Sequence, residues 1–219
     1  MRISVYVPQS AVIEAISPAY RLFKTANDFL AASGKKPKFE VEYVGLQKNV
    51  KANDGEYTVK TDRLVDEVKK TDLIFIPALY GNMKQAVASN TKAIPWIQQM
   101  HKKGAEVASL CIGAFLLGAT GLVNGKKCST HWASISEFKE KYTNIEVEDG
   151  AVISEQGNIY SSGGANSLFN LILYLIEKYS DRETAVLLSK YFALDIDRHS
   201  QSQFTIFKGQ RNHTDSDIA

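Results

Sequence analysis

The chain has 219 residues, 44% of them apolar and 23% charged, which is enough for one α/β domain with a full core or for two very small ones. Its 26 basic and 24 acidic residues leave a net charge of +2, far from the basic footprint of a nucleic-acid-binding domain. The only cysteines, Cys111 and Cys128, rule out a disulfide framework and lack histidines at zinc-ligand spacing. No apolar run is long enough to span a bilayer and the segment Arg2–Pro8 is too short for a signal peptide, so a cytoplasmic protein without metal or cofactor is expected.

Ile3–Val7 runs apolar and predicts a buried strand. Ile13, Ile16, Tyr20, Phe23 and Leu30 follow at helical spacing, with Pro18 expected to kink that helix or to mark off a short first piece, and Gly34–Pro37 to end it. Phe39–Val44 predicts the second strand, and Asn53-Asp54-Gly55 a hairpin-type turn before Tyr57–Val59. Leu73–Pro77 is wholly apolar, as in a parallel strand covered on both faces. A helix over Pro95–Lys103 stops at Gly104, the strand Ala105–Leu110 follows, and a small apolar helix over Ile112–Thr120 stops at Gly121. A loop over Asn124–Thr130, a helix from Ser134 to Tyr142 and two short strands around Gln156-Gly157-Asn158 come next. The stripe Leu168, Leu171, Ile172, Leu175, Ile176 and Tyr179 reads as core packing of a long helix, and Arg182–Phe192 as a further one. Strands alternating with helices predict an α/β fold with a doubly wound, mostly parallel sheet and helices on both faces.

In such a sheet ligands bind beyond the carboxyl ends of the strands. Cys111 stands there, directly after the strand Val107–Leu110 and before a helix whose small residues Gly113 and Ala114 permit a tight turn. This is the pattern of a nucleophile elbow, and the helix start is expected to lower the thiol pKa. A buried, inert cysteine packed as a small hydrophobe fits the local pattern too. Cys128, flanked by a lysine in a loop, reads as incidental.

The run Cys-Ile-Gly-Ala-Phe-Leu-Leu-Gly-Ala-Thr-Gly-Leu-Val-Asn-Gly-Lys-Lys-Cys-Ser-Thr-His-Trp, Cys111–Trp132, resembles the signature of DJ-1/PfpI-superfamily domains (flavodoxin-like, class I glutamine amidotransferase-like) in AraC-type regulators. The resemblance extends to Glu14, four residues before Pro18, to Ser161–Ala165 and to Gln201–Phe204. It implies that Glu14 and His131, the latter twenty residues after Cys111, approach the cysteine, with a protonated Glu14 and a nearby His131 stabilising a thiolate. Read locally, Glu14 is equally a first-turn acid complementing the helix dipole, and His131 a capping or packing residue beside Trp132. Gly163 and Gly164 either offer backbone N–H groups to a ligand anion or simply make the turn. PfpI-type peptidases place a histidine directly after the cysteine; Ile112 stands here instead, so protease activity is not expected. Superfamily enzymes carry Pro-Gly or Gly-Gly after the middle strand; Ala78 and Leu79 stand here, which puts an oxyanion hole in doubt and leaves Tyr80 placed to close over the pocket. Ala78, Leu79, Ile112, Gly163 and Gly164 are therefore the candidate ligand-binding positions.

The resemblance divides the chain into a DJ-1/PfpI-like domain over residues 1–204 and, over 205–219, the start of a linker to an AraC-type helix-turn-helix domain of roughly a hundred further residues. Thr214-Asp215-Ser216-Asp217-Ile218 has the composition of a helix start, which reads as a cut made by design. The expected function is a regulatory domain that senses an unknown small molecule, forms a homodimer and leaves DNA contact to the part that follows. The alternatives are a free-standing enzyme using Cys111 on a small carbonyl or isonitrile compound, and a purely structural dimerisation module with a vestigial pocket.

Overall fold

Leu73–Ile76 buries every one of its side chains, because the strand lies in the middle of a sheet with helices on both faces. The computed structural model describes residues 1–164 and 166–195. The first half runs β1 (Arg2–Val7), α1 (Ile13–Ala32), β2 (Glu40–Gly45), β3 (Asn49–Ala52), β4 (Tyr57–Lys60), β5 (Arg63–Leu64), β6 (Leu73–Ile76), α2 (Met83–Asn90) and α3 (Ile94–Lys102). The second half runs β7 (Glu106–Leu110), α4 (Ala114–Ala119), β8 (Lys127–Cys128), α5 (Ile135–Lys141), β9 (Glu146–Val147), β10 (Ile153–Gln156), β11 (Ile159–Ser162), α6 (Ser167–Tyr179) and α7 (Arg182–Phe192).

The main sheet has seven strands in the order β10-β11-β7-β6-β1-β2-β5, parallel throughout except for the β10–β11 edge pair. Alternation along the strands splits the core in two. Ile3, Val5, Val7, Leu73, Phe75, Ala108 and Leu110 pack under α1, α6 and α7; Tyr6, Ile74, Ile76 and Val107 pack under α2 to α5. This is the doubly wound, mostly parallel α/β sheet that the sequence predicts.

Helix α1 runs unbroken through Pro18, which corrects the expected interruption. The proline removes one N–H and crowds the Glu14 carbonyl, a cost of about 3 kcal/mol. Ile16, Leu22, Phe23 and Leu30 straddle it and are buried against the sheet. At about 1.5–3 kcal/mol each, their burial outweighs the loss. Helix α2 and the two-residue strands β5, β8 and β9 have no counterpart among the predicted elements; β8 and β9 pair with each other inside what reads as loop.

The Asn53–Gly55 turn joins β3 to β4 as expected and also closes the start of α1. Asn53 takes a left-handed backbone (φ 48°), and its N–H donates to the Ala11 carbonyl at 3.0 Å. Its Oδ1 accepts from the Ile13 N–H at 3.0 Å, so a residue forty positions away caps a helix whose own Val12 cannot.

Candidate functional site

Strand β7 delivers Cys111 to the carboxyl edge of the sheet, between β6 and β11. Cys111 has φ 54°, a left-handed conformation that a non-glycine residue adopts only under constraint. The constraint comes from Gly113, where an added Cβ would lie 2.5 Å from the Pro77 carbonyl oxygen and 2.6 Å from that of Ile76. The end of β6 and the turn after β7 are thus in backbone contact, and the chain swings through one 3₁₀ turn, Cys111–Gly113, before α4 begins. From the other side, Thr130 Oγ1 donates to the Cys111 carbonyl at 3.3 Å.

Cys111 is 8% exposed and packs with Ala15 and Ala78, flanked by Val12 and Ile112. Two of the expected ligand positions, Ala78 and Ile112, therefore touch the cysteine. Leu79 is fully buried and bridges to Ala11. The Gly163 N–H donates to the Val152 carbonyl at 3.1 Å, so it makes the turn and is not free for an anion; the Gly164 carbonyl accepts from Ser167. Ala165 and the predicted segments 201–204, 205–213 and 214–218 lie outside the described residues.

Glu14 and His131 each have other partners. Both Glu14 carboxylate oxygens accept from Asn53 Nδ2, at 3.1 and 3.0 Å, on the exposed side of α1. His131 Nδ1 accepts from the Ala133 N–H at 3.3 Å, and the ring lies 5.5 Å from Trp132 in a tilted contact. Among the described residues no hydrogen bond joins either side chain to the Cys111 sulfur. Burial lowers the His131 pKa, which favours the neutral ring.

The thiol pKa corrects the expectation of an acidic cysteine. Burial pushes Cys111 up to about 11, and the Ile112 N–H bonded to the sulfur pulls the other way without prevailing. Helix α4 has only six residues and follows a 3₁₀ turn, so little dipole reaches the sulfur. Cys128, fully buried in β8, is also pushed up to about 11 by burial, with a hydrogen bond from the Ser161 hydroxyl pulling the other way.

Iodoacetamide is therefore expected to label Cys111 at pH 7 about a hundredfold more slowly than a free cysteine, and Cys128 more slowly still. The Cys111 rate should climb about tenfold per pH unit towards pH 11; a rate that levels off below pH 8 contradicts the raised pKa. The stability linkage has the matching sign. A thiol whose folded pKa is raised holds its proton more tightly when folded, so its contribution is complete below the ordinary thiol pKa and is lost as pH rises through about 11. The unfolding free energy obtained from urea titrations should fall between pH 9 and 11, by about 1.4 kcal/mol per unit and per thiol.

A cavity of about 440 Å³ opens beyond the end of β1, and Tyr80 forms part of its wall. None of the expected ligand positions lines it. Gln9, Ser10, Lys51 and Asp54 do, and the only trace of them in the sequence is the turn at Asn53–Gly55. Among the described residues no helix is long and apolar enough to cross a membrane, and no three His, Cys, Asp or Glu side chains cluster as metal ligands would.

A doubly wound sheet with a left-handed cysteine between a central strand and a short helix defines a cysteine-elbow α/β domain. Residues 2–178 match the DJ-1/PfpI family, and the chain belongs to it. It is similar to the HTH-type transcriptional regulator CdhR of Pseudomonas aeruginosa, 28% identical over 137 residues that make up 63% of this chain and 40% of the regulator. It is also similar to an isonitrile hydratase of Pseudomonas putida, 28% identical over 117 residues, 53% of this chain and 49% of the hydratase. The chain thus matches less than half the length of either relative. An AraC family transcriptional regulator structure from Pseudomonas putida superposes with a TM-score of 0.73 at 17% identity, covering 87% of this chain and 98% of that one.

Proposed function

We propose that this chain is the small-molecule-sensing domain of an AraC-type transcriptional regulator. In this reading residues 1–204 form the sensor and its homodimer contact, 205–219 begin a linker, and a helix-turn-helix domain beyond them binds DNA in the cytoplasm. The ligand pocket sits at Cys111, walled by Ala78, Leu79 and Ile112, with Glu14 and His131 at its approach. The observation that carries the reading is the state of Cys111: an elbow cysteine that is buried, protonated at neutral pH and, among the described residues, hydrogen-bonded to no base. Such a thiol contacts a ligand but is a poor nucleophile. The similarity to regulators of which it covers about 40% supports a longer native polypeptide.

The left-handed φ of Cys111 favours a second reading, an enzyme acting on a small isonitrile or carbonyl compound, since elbows of this kind present nucleophiles. Turnover of simple isonitriles and aldehydes separates the two. No rate above that of the Cys111→Ser variant is expected; turnover that disappears with Cys111→Ser transfers the function to catalysis.

A further inference from the structure

The segment that follows β8 lies against β11 on a row of hydroxyls. Strand register sets Ser109, Ser161 and Ser154 side by side on β7, β11 and β10, on the face that carries Val107 and Ile159. Cys128 belongs to the same cluster, and Ser129 and Thr130 follow it into the interior; all six residues are buried. The Ser161 hydroxyl is in use: it accepts from the Ser129 N–H at 2.8 Å and donates to the Cys128 sulfur. The hydroxyls of its neighbours Ser109, Ser129 and Ser154 have no hydrogen-bond partner among the described residues. An unpaired buried hydroxyl favours any state in which water reaches it, by a factor of roughly five to a hundred per group.

The polar ties that hold the segment down are slight. Strands β8 and β9 pair over two residues, and the Glu148 N–H donates to the Cys128 carbonyl at 3.1 Å. The Lys127 ion pairs with Glu146 and Glu148, at 3.8 and 3.9 Å, lie at the surface, where such pairs contribute little. The far end of the segment touches the cysteine turn. Thr130 Oγ1 donates to the Cys111 carbonyl, and His131 and the exposed Trp132 follow directly.

We infer that Cys128–Thr130 is a latch: the segment lifts from the sheet in a local opening that wets the serine row, withdraws the Thr130 brace and frees the left-handed turn at Cys111. Under the sensing reading it is the two-state element that a ligand at Cys111 biases, while the latch itself rests on the serine row and on no ligand.

The buried Cys128 thiol reports the opening. Iodoacetamide labelling of the 219-residue chain is followed at pH 8 from zero urea to the unfolding transition, with each cysteine located by peptide mass spectrometry. Local opening exposes little surface, so the Cys128 rate should stay flat in low urea. It should lie about tenfold or more above the rate that the extrapolated global unfolding equilibrium allows. Ser154→Ala and Ser109→Ala, which remove an unpaired hydroxyl and no hydrogen bond, should each slow Cys128 labelling about fivefold or more. Thr130→Val, which keeps the shape and removes the brace, should speed Cys128 and Cys111 labelling together by a similar factor. A Cys128 rate that climbs from zero urea with the slope of global unfolding overturns the latch, as does unchanged or faster labelling in either serine variant. A Thr130→Val chain in which Cys111 is not accelerated overturns the link to the elbow. None of these failures touches the sensing reading, which fails only if promoter binding by the native protein responds to no small molecule.

Discussion

Replacing Gly113 with alanine is expected to destabilise the domain by about 3 kcal/mol or more, a drop of roughly 6–12 °C in Tm for a domain of this size. The backbone at Gly113 needs no special conformation (φ −59°), so the penalty is purely one of space. The new methyl group would sit 2.5 and 2.6 Å from two main-chain carbonyl oxygens at the end of a central strand, Pro77 and Ile76. Neither can move without pulling β6 out of register with β1 and β7. Gly118→Ala, inside α4, provides the comparison. Its Cβ meets the Tyr142 ring at 3.0 Å, and a side chain can shift where a strand cannot. Thermal unfolding of both variants by circular dichroism should separate them clearly; equal losses would mean that the elbow is not braced against β6.

Asn90→Ala is expected to cost about 2–4 kcal/mol, because it strands the buried Tyr6 hydroxyl, worth about 1–3 kcal/mol unpaired, and with it the half-buried Gln9 N–H. Asn90 Oδ1 accepts from the Tyr6 hydroxyl at 2.7 Å and from the Gln9 N–H at 2.8 Å. Its Nδ2 donates to the Gln9 and Ala86 carbonyls. Tyr6 is fully buried, and burial holds its hydroxyl protonated far above the ordinary tyrosine range, so it cannot escape by ionising. A double-mutant cycle with Tyr6→Phe, read by urea unfolding, should give a coupling above about 1 kcal/mol. Additive losses would mean that the two residues act independently.

The sequence shows the fold well where burial imposes a period. Leu73–Ile76 reads as a two-faced buried strand and Leu168–Tyr179 as a packed helix, because nothing but core contact orders those residues. Helix α2 is harder to see: its buried stripe is Met83, Ala86, Val87 and Asn90, mostly small, with a polar residue at the decisive end. Strands β8 and β9 are two residues each, too short for any alternation to show.

The site is legible in part. The tight turn at Cys111 follows from an apolar strand meeting small residues, and the structure has it. The environment of the thiol does not follow, since a position along the chain says nothing about depth, and depth sets the pKa here. Glu14 and His131 stand at suggestive separations from Cys111, yet separation along the chain does not choose a hydrogen-bond partner. Glu14 is taken by Asn53, which reaches across from the β3–β4 turn, and His131 by the N–H of Ala133 next door. Gln9 is hidden for a similar reason. Its backbone is held by Asn90, 81 positions away.

Fluorescence anisotropy with promoter DNA is the most direct test of the division between sensing and DNA binding. The native polypeptide should bind in the range of about 10⁻⁸ to 10⁻¹¹ M usual for specific complexes at physiological salt. Residues 1–219, with a net charge of only +2, should bind no more tightly than non-specific contacts, about 10⁻⁴ to 10⁻⁶ M. Promoter binding by residues 1–219 alone in the specific range would contradict the assignment, placing DNA recognition in the domain described here.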